Sequence, residues 1–132
     1  MSAIAASLDP STLLRRVLWA DATTCLATGA LLALAATPLA GLLGLPAALL
    51  AYAGGALFPI AGFMTWLAVR DDLSRAGAWV VILGNLGWVL GSVLVLLVLS
   101  PSALGHAFVI AQAVVVGLLA ELEYLSLRRI AS

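Results

Sequence analysis

Apolar residues in this chain fall into four runs, each long enough to cross a bilayer, separated by breaks of only a few residues. They extend from about Leu13 to Ala36, Ala47 to Val69, Ala76 to Leu99 and Leu104 to Leu127. The runs end at Thr37-Pro38, Arg70-Asp71-Asp72, Ser100-Pro101 and Arg128-Arg129. A helix needs roughly 20 mostly apolar residues to span about 30 Å of hydrocarbon at about 1.5 Å per residue. Such runs are too long for barrel strands and show no apolar–polar alternation, so helices, which satisfy their own backbone groups, are expected. The expected fold is all-α, one four-transmembrane-helix bundle over residues 1–132 with no room for a soluble domain. Between the first two runs, Leu39 to Pro46 is apolar but broken by glycines and bounded by prolines, which predicts a short turn or half-helix at the interface.

Composition changes this picture only by hardening it. The chain is 64% hydrophobic and 9% charged, with a mean hydropathy of +1.21, too apolar for a soluble domain of this size to hide. Six arginines balance six acids and there is no lysine, so there is no basic excess for nucleic acid. Cys25 is the single cysteine, which excludes an intramolecular disulfide, and no Cys/His set is available for a metal site. No cofactor is expected.

The arginines carry topology. Arg15 and Arg16 precede the first span, Arg70 and Arg75 flank the link between the second and third, and Arg128 and Arg129 follow the fourth. All six fall on one side of a four-span bundle. The positive-inside rule then expects both termini in the cytoplasm of a bacterial inner membrane protein. Trp19, Trp66, Trp79 and Tyr124 lie near these arginines, as an interfacial belt requires, whereas Trp88 lies deeper. Arg15-Arg16 before an apolar run also resembles a twin-arginine or secretory signal. The run is too long for that and Asp21 interrupts it, so a mature first span is the reading adopted.

The polar residues inside the spans are the candidate chemistry. Asp21 lies five residues beyond Arg16, roughly 7–8 Å deeper by helical rise. A carboxylate there is costly in lipid and must face protein or water. Thr24, Cys25 and Thr28 follow on the same face. On the third span Asn85, Trp88 and Ser92 share a face, with Gly84, Gly87 and Gly91 between them, and Gly87 to Gly91 forms a GxxxG suited to close helix approach. Asn85 needs a partner, and Thr24, Cys25 or Thr28 is at comparable depth. Pro59 falls near the middle of the second span, where it predicts a kink. The fourth span carries His106, Gln112, Glu121 and Glu123; the two glutamates point to different faces, and one of them is expected to face the bundle. A cluster of Asp21, one glutamate and arginines is geometrically possible, as a structural ionic clamp or as a proton relay. His106 has no second histidine with which to share a metal or haem and reads as solvated. The candidate intramembrane polar or ion site is therefore Asp21, Thr24, Asn85, Trp88, Gln112, Glu121 and Glu123.

No nucleophile elbow, zincin motif, Walker loop or Ser/His/Asp set is present, so an enzyme is not expected. Leu14-Arg-Arg-Val-Leu-Trp-Ala-Asp21, Gly44-Leu-Pro46, Gly84-Asn85-Leu-Gly-Trp88 and Ala120-Glu121-Leu-Glu123 resemble a group of small four-span bacterial membrane proteins of uncharacterised function. That resemblance implies architecture and source, and no activity. The chain is also similar to the small multidrug resistance transporters in span number, length and an acid in the first span. It departs from them in having Asp rather than Glu there and no aromatic signature around it. Two functions are expected on these grounds. One is a non-catalytic accessory or scaffold bundle that binds lipid, itself or a larger membrane complex. The other is a proton-coupled small multidrug-type transporter, working as a homodimer with Asp21 as its titrating acid. The first expects an interior closed by Gly, Ala and Leu packing; the second expects a cavity reaching Asp21.

Overall fold

A computed structural model of the chain describes residues 9–130. Among these residues there are five helices and no strand: α1 (Pro10–Leu34), α2 (Ala36–Leu43), α3 (Ala47–Val69), α4 (Arg75–Leu99) and α5 (Ala103–Ile130). Helices α1, α3, α4 and α5 are long and apolar enough to cross a membrane. The eight-residue α2 is the half-helix expected between the first two spans, though it begins at Ala36, earlier than the proline-bounded segment suggested.

Local chemistry sets the helix ends. The Asp9 carboxylate accepts from the Ser11 backbone N–H at 3.3 Å and from its hydroxyl at 3.0 Å, which caps α1. Ser74 caps α4 by accepting from Gly77 N–H at 3.0 Å, and Ser102 serves the start of α5 by accepting from Gly105 N–H at 3.0 Å. Helix α2 stops at Gly44, whose φ of +67° is left-handed and suits glycine. A Cβ at Gly44 would also stand 2.7 Å from the Ser102 backbone nitrogen. Helix α3 runs unbroken through Pro59.

The spans pair unevenly. Helix α1 packs most extensively on α3, and α4 on α5, while α1 and α5 join the two pairs. Helices α3 and α4 are sequence neighbours yet barely touch. Around the bundle the order is therefore α3, α1, α5, α4, with a cleft where α3 and α4 would otherwise close the ring. Buried positions follow a helical stripe, as in Leu50, Gly54, Leu57, Ala61, Met64 and Leu67 of α3. Most large aliphatic side chains elsewhere are exposed, Leu34 at 87% and Leu97 at 74%, as expected where the solvent is lipid rather than water.

Two packed layers close the ends. One gathers Leu14, Leu18, Leu67, Ala78 and Leu127 near the arginines; the other gathers Leu32, Leu43, Leu45, Leu50 and Val109 at the opposite end. Arg15 reinforces the first by donating to the carbonyls of Ala68 (2.8 Å), Arg70 and Asp71 (3.0 Å), at the C-terminal end of α3 where a cation is favoured. Arg75 donates to Leu127 O at 3.4 Å, so both termini of the bundle and the α3–α4 link share one end. At this end Arg70 also lies over the Trp66 ring at 4.6 Å, and Trp79 meets Tyr124 edge-on. At the other end Ser102 donates through its backbone N–H to Leu43 O and through its hydroxyl to Leu42 O, fastening α2 to the start of α5.

The close helix approach does not use the GxxxG. A Cβ added at Gly84, Gly87 or Gly91 would meet nothing within 4 Å. Contact instead occurs where Gly29 of α1 crosses Gly54 of α3: a Cβ at Gly29 would be 2.9 Å from Gly54 O, and one at Gly54 would be 2.7 Å from Ala33 N. Because both obstacles are backbone, Gly54→Val is expected to destabilise the bundle by about 1–3 kcal/mol. Gly91→Ala, in open space and with better helix propensity, is expected to be neutral or stabilising by up to about 1 kcal/mol. Equilibrium unfolding in mixed micelles distinguishes the two.

Candidate functional site

Three helices bring their buried polar residues to one point. Asp21 of α1, Asn85 of α4 and Glu123 of α5 are 1%, 6% and 0% exposed. The Asn85 amide nitrogen donates to Asp21 Oδ2 at 2.7 Å and to Glu123 Oε1 at 2.8 Å. Both hydrogens of that amide are thereby committed, and the two accepting oxygens are held no more than about 5.5 Å apart. Cys25, one turn beyond Asp21, points its Sγ at Asp21 Oδ1 at 3.7 Å. Glu123 Oε2 is sealed from solvent and has no hydrogen-bond partner.

The Asn85 partners differ from the expected Thr24, Cys25 or Thr28. Thr24 donates its hydroxyl to Ala20 O, one turn back on its own helix, so the carboxyls take the amide. Arg15, Arg70 and Arg75, which the sequence allows in a cluster with Asp21 and a glutamate, donate to backbone carbonyls at the bundle end. Of the two glutamates, Glu123 faces the bundle in line with Ala120 and Ser126, whereas Glu121 is exposed on the outer face and takes no part. His106 is exposed, with Nδ1 3.1 Å from Ser102 O.

A second polar chain lies farther along α4 and α5. Trp88 Nε1 donates to Gln112 Oε1 at 2.7 Å, and Gln112 Nε2 donates to Ser92 Oγ at 2.8 Å and to Val109 O at 2.9 Å. Ser92 passes its own proton back to Trp88 O at 2.8 Å. Such interhelical bonds join spans that have no hydrophobic reason to associate in lipid. Among the described residues no group of three or more His, Cys, Asp or Glu side chains forms a potential metal site.

Both polar chains border a cavity of about 580 Å³ in the α3–α4 cleft. Asp21, Thr24 and Thr28 of α1, Asn85 and Trp88 of α4 and Gln112 of α5 supply its polar surface, and the rest of the wall is apolar. At its mouth Ile60 of α3 and Val80 and Gly84 of α4 are exposed to the surroundings. A cavity of this size, apolar with a few convergent polar groups, has the character of a small-molecule site. The Arg15 clasp was not legible in the sequence, where Arg15 reads only as a topology signal; its possible clue is an arginine at the end where α3 leaves its last carbonyls unsatisfied. No family model matches the chain, and neither a curated protein nor a solved structure matches it.

Proposed function

We propose that this chain is a proton-coupled carrier of the inner membrane, with its arginine-bearing end in the cytoplasm and a second copy as its working partner. The observation that carries this reading is a pair of buried carboxyls bridged by one amide, with Asp21 and the Asn85 amide at the wall of an intramembrane cavity and Glu123 behind them. Like charges so close do not both persist in low dielectric without a cation, and a proton held between them is the simplest counter-charge. The groups facing this pair are Cys25 from α1 and Asn85 from α4, while α3 contributes the apolar Met64 and Phe63 to the adjoining wall. A cationic solute arriving beside Asp21 displaces the proton, and its departure readmits one, which couples the two movements. The accessory-bundle reading asks for a closed interior, and the cavity beside Asp21 does not favour it.

Reconstitution tests this. Proteoliposomes carrying a pH gradient are expected to accumulate ethidium, used as a rigid cationic probe, faster than protein-free liposomes, and a protonophore is expected to abolish the difference. Uptake equal to that of empty liposomes, or unaffected by collapse of the gradient, contradicts the proposal.

A further inference from the structure

The arginines at the charged end of the bundle are unequally occupied. Arg15 gives its guanidinium to three carbonyls around the end of α3, and Arg70 lies over Trp66 and donates to Asp72 O. Arg75 makes one long bond, from Nη1 to Leu127 O at 3.4 Å, which leaves most of its donors unused. Arg16 and Arg128 are exposed and, among the described residues, have no hydrogen-bond or ion-pair partner.

Two of the underused cations share one groove on the outer surface. Arg75 and Trp79 are one turn apart on α4, and Tyr124 and Arg128 are one turn apart on α5. The helices meet there through the edge-on contact of Trp79 with Tyr124, whose ring centroids are 5.7 Å apart, and through the Arg75 bond to the carbonyl just before Arg128. Both rings are 38% exposed, and among the described residues neither the indole N–H nor the phenol hydroxyl has a hydrogen-bond partner. The groove therefore offers two guanidiniums at its rim and two neutral donors one helical turn, about 6 Å, deeper. Its acids lie to either side. Glu121 is exposed on the same side of α5, roughly 10 Å deeper than Arg128 by helical rise, and Asp71 and Asp72 stand in the link before α4. Glu121 repels an anion that moves farther in, so the attractive region is confined to the level of lipid headgroups.

We propose that this groove between α4 and α5 holds the headgroup of an anionic phospholipid. Arg75 and Arg128 take the phosphate oxygens, for which the guanidinium fork is suited. Tyr124 and Trp79 donate to the glycerol ester oxygens one level deeper, and the acyl chains lie on the aliphatic side chains that α4 and α5 expose to lipid. A zwitterionic lipid brings its own ammonium to the phosphate and competes poorly for the arginines. The bound headgroup fastens the first turn of α4 to the last turns of α5, and α4 has little other anchorage because it barely touches α3. This surface lies outside the cavity, so the inference stands or falls apart from the carrier reading.

Native mass spectrometry of the full chain, released from mild detergent with phosphatidylglycerol and phosphatidylcholine of matched chains, tests it. Phosphatidylglycerol is expected to be retained about tenfold better, and joint Arg75→Gln and Arg128→Gln substitution is expected to abolish that preference. Arg16→Gln, which removes an equally unpartnered cation from α1, is expected to leave it intact. Phosphatidylglycerol is likewise expected to raise the unfolding temperature of the wild type and of Arg16→Gln, and not that of the double variant. Tyr124→Phe keeps the ring on Trp79 and loses only the hydroxyl; it is expected to weaken retention severalfold, and it decides the matter if the double variant does not fold. Equal retention of the two lipids overturns the proposal, as does retention unchanged by Tyr124→Phe. A preference lost equally in Arg16→Gln identifies diffuse positive charge rather than a site. Displacement of the lipid by inorganic phosphate assigns the groove to a free anion, and either of these results also overturns the proposal.

Discussion

Asn85→Leu is expected to lower the stability of the bundle by about 3 kcal/mol, far more than an ordinary interhelical hydrogen bond within a membrane, which averages about 0.6 kcal/mol. The difference lies in what Asn85 holds. Its two N–H groups reach two buried carboxyls at 2.7 and 2.8 Å, and bonds to charged groups are worth about 1.5–3 kcal/mol each. Leucine has nearly the same length but leaves Asp21 and Glu123 without their shared donor, and Glu123 Oε2 already lacks a partner. The two carboxyls can bond each other through a proton, which recovers part of the loss and keeps the figure below the full sum. Unfolding in mixed micelles measures it. Combining Asn85→Leu with Asp21→Leu and Glu123→Leu is expected to restore much of the stability, because removing a polar network entirely costs less than leaving part of it unsatisfied.

The second large effect falls on transport rather than stability. Asp21→Asn is expected to reduce gradient-driven ethidium uptake at least a hundredfold, to the level of empty liposomes, while shifting stability by less than about 1 kcal/mol. An amide keeps the shape of the carboxyl and can still accept from Asn85 through its oxygen, so the local network survives. It cannot take up and release a proton in exchange for a cation. Glu123→Gln is expected to keep binding of the cation, since Glu123 lies behind Asn85 rather than at the cavity wall, while uptake falls by at least tenfold. A purely structural clamp predicts the opposite pattern, with stability lost in step with uptake.

Much of the architecture was legible because lipid imposes a strong constraint on length and polarity. Four apolar runs gave four spans, and their limits moved by only a few residues, as where Asp9 caps α1 earlier than the apolar run begins and α5 continues to Ile130. The orientation of each helix was much less legible. Span faces that are apolar nearly all round carry little periodic signal, so Glu121 and Glu123 could not be separated by depth. The separating clue was the buried line of Ala120, Glu123 and Ser126, in which small and polar residues recur at three-residue steps. Depth pointed Asn85 toward Thr24, Cys25 or Thr28 rather than to the two carboxyls because rise along a helix gives depth but not azimuth, and α5 brings Glu123 to the same point as Asp21. The glycines misled for a related reason. Gly87 and Gly91 have the familiar spacing, yet they line the cleft, whereas Gly29 and Gly54, which belong to no GxxxG, make the contact. A small residue announces room for something close by without saying whether a helix or a ligand fills it.

The account stands most directly on whether Asp21 and Glu123 share an exchangeable proton, and infrared difference spectroscopy of the carboxyl C=O stretch, taken across a pH change in nanodiscs, measures that. The expected spectrum shows a band from a protonated, desolvated carboxyl that changes with pH and disappears in both Asp21→Asn and Glu123→Gln. A spectrum without such a band, or one left unchanged by both substitutions, contradicts the account.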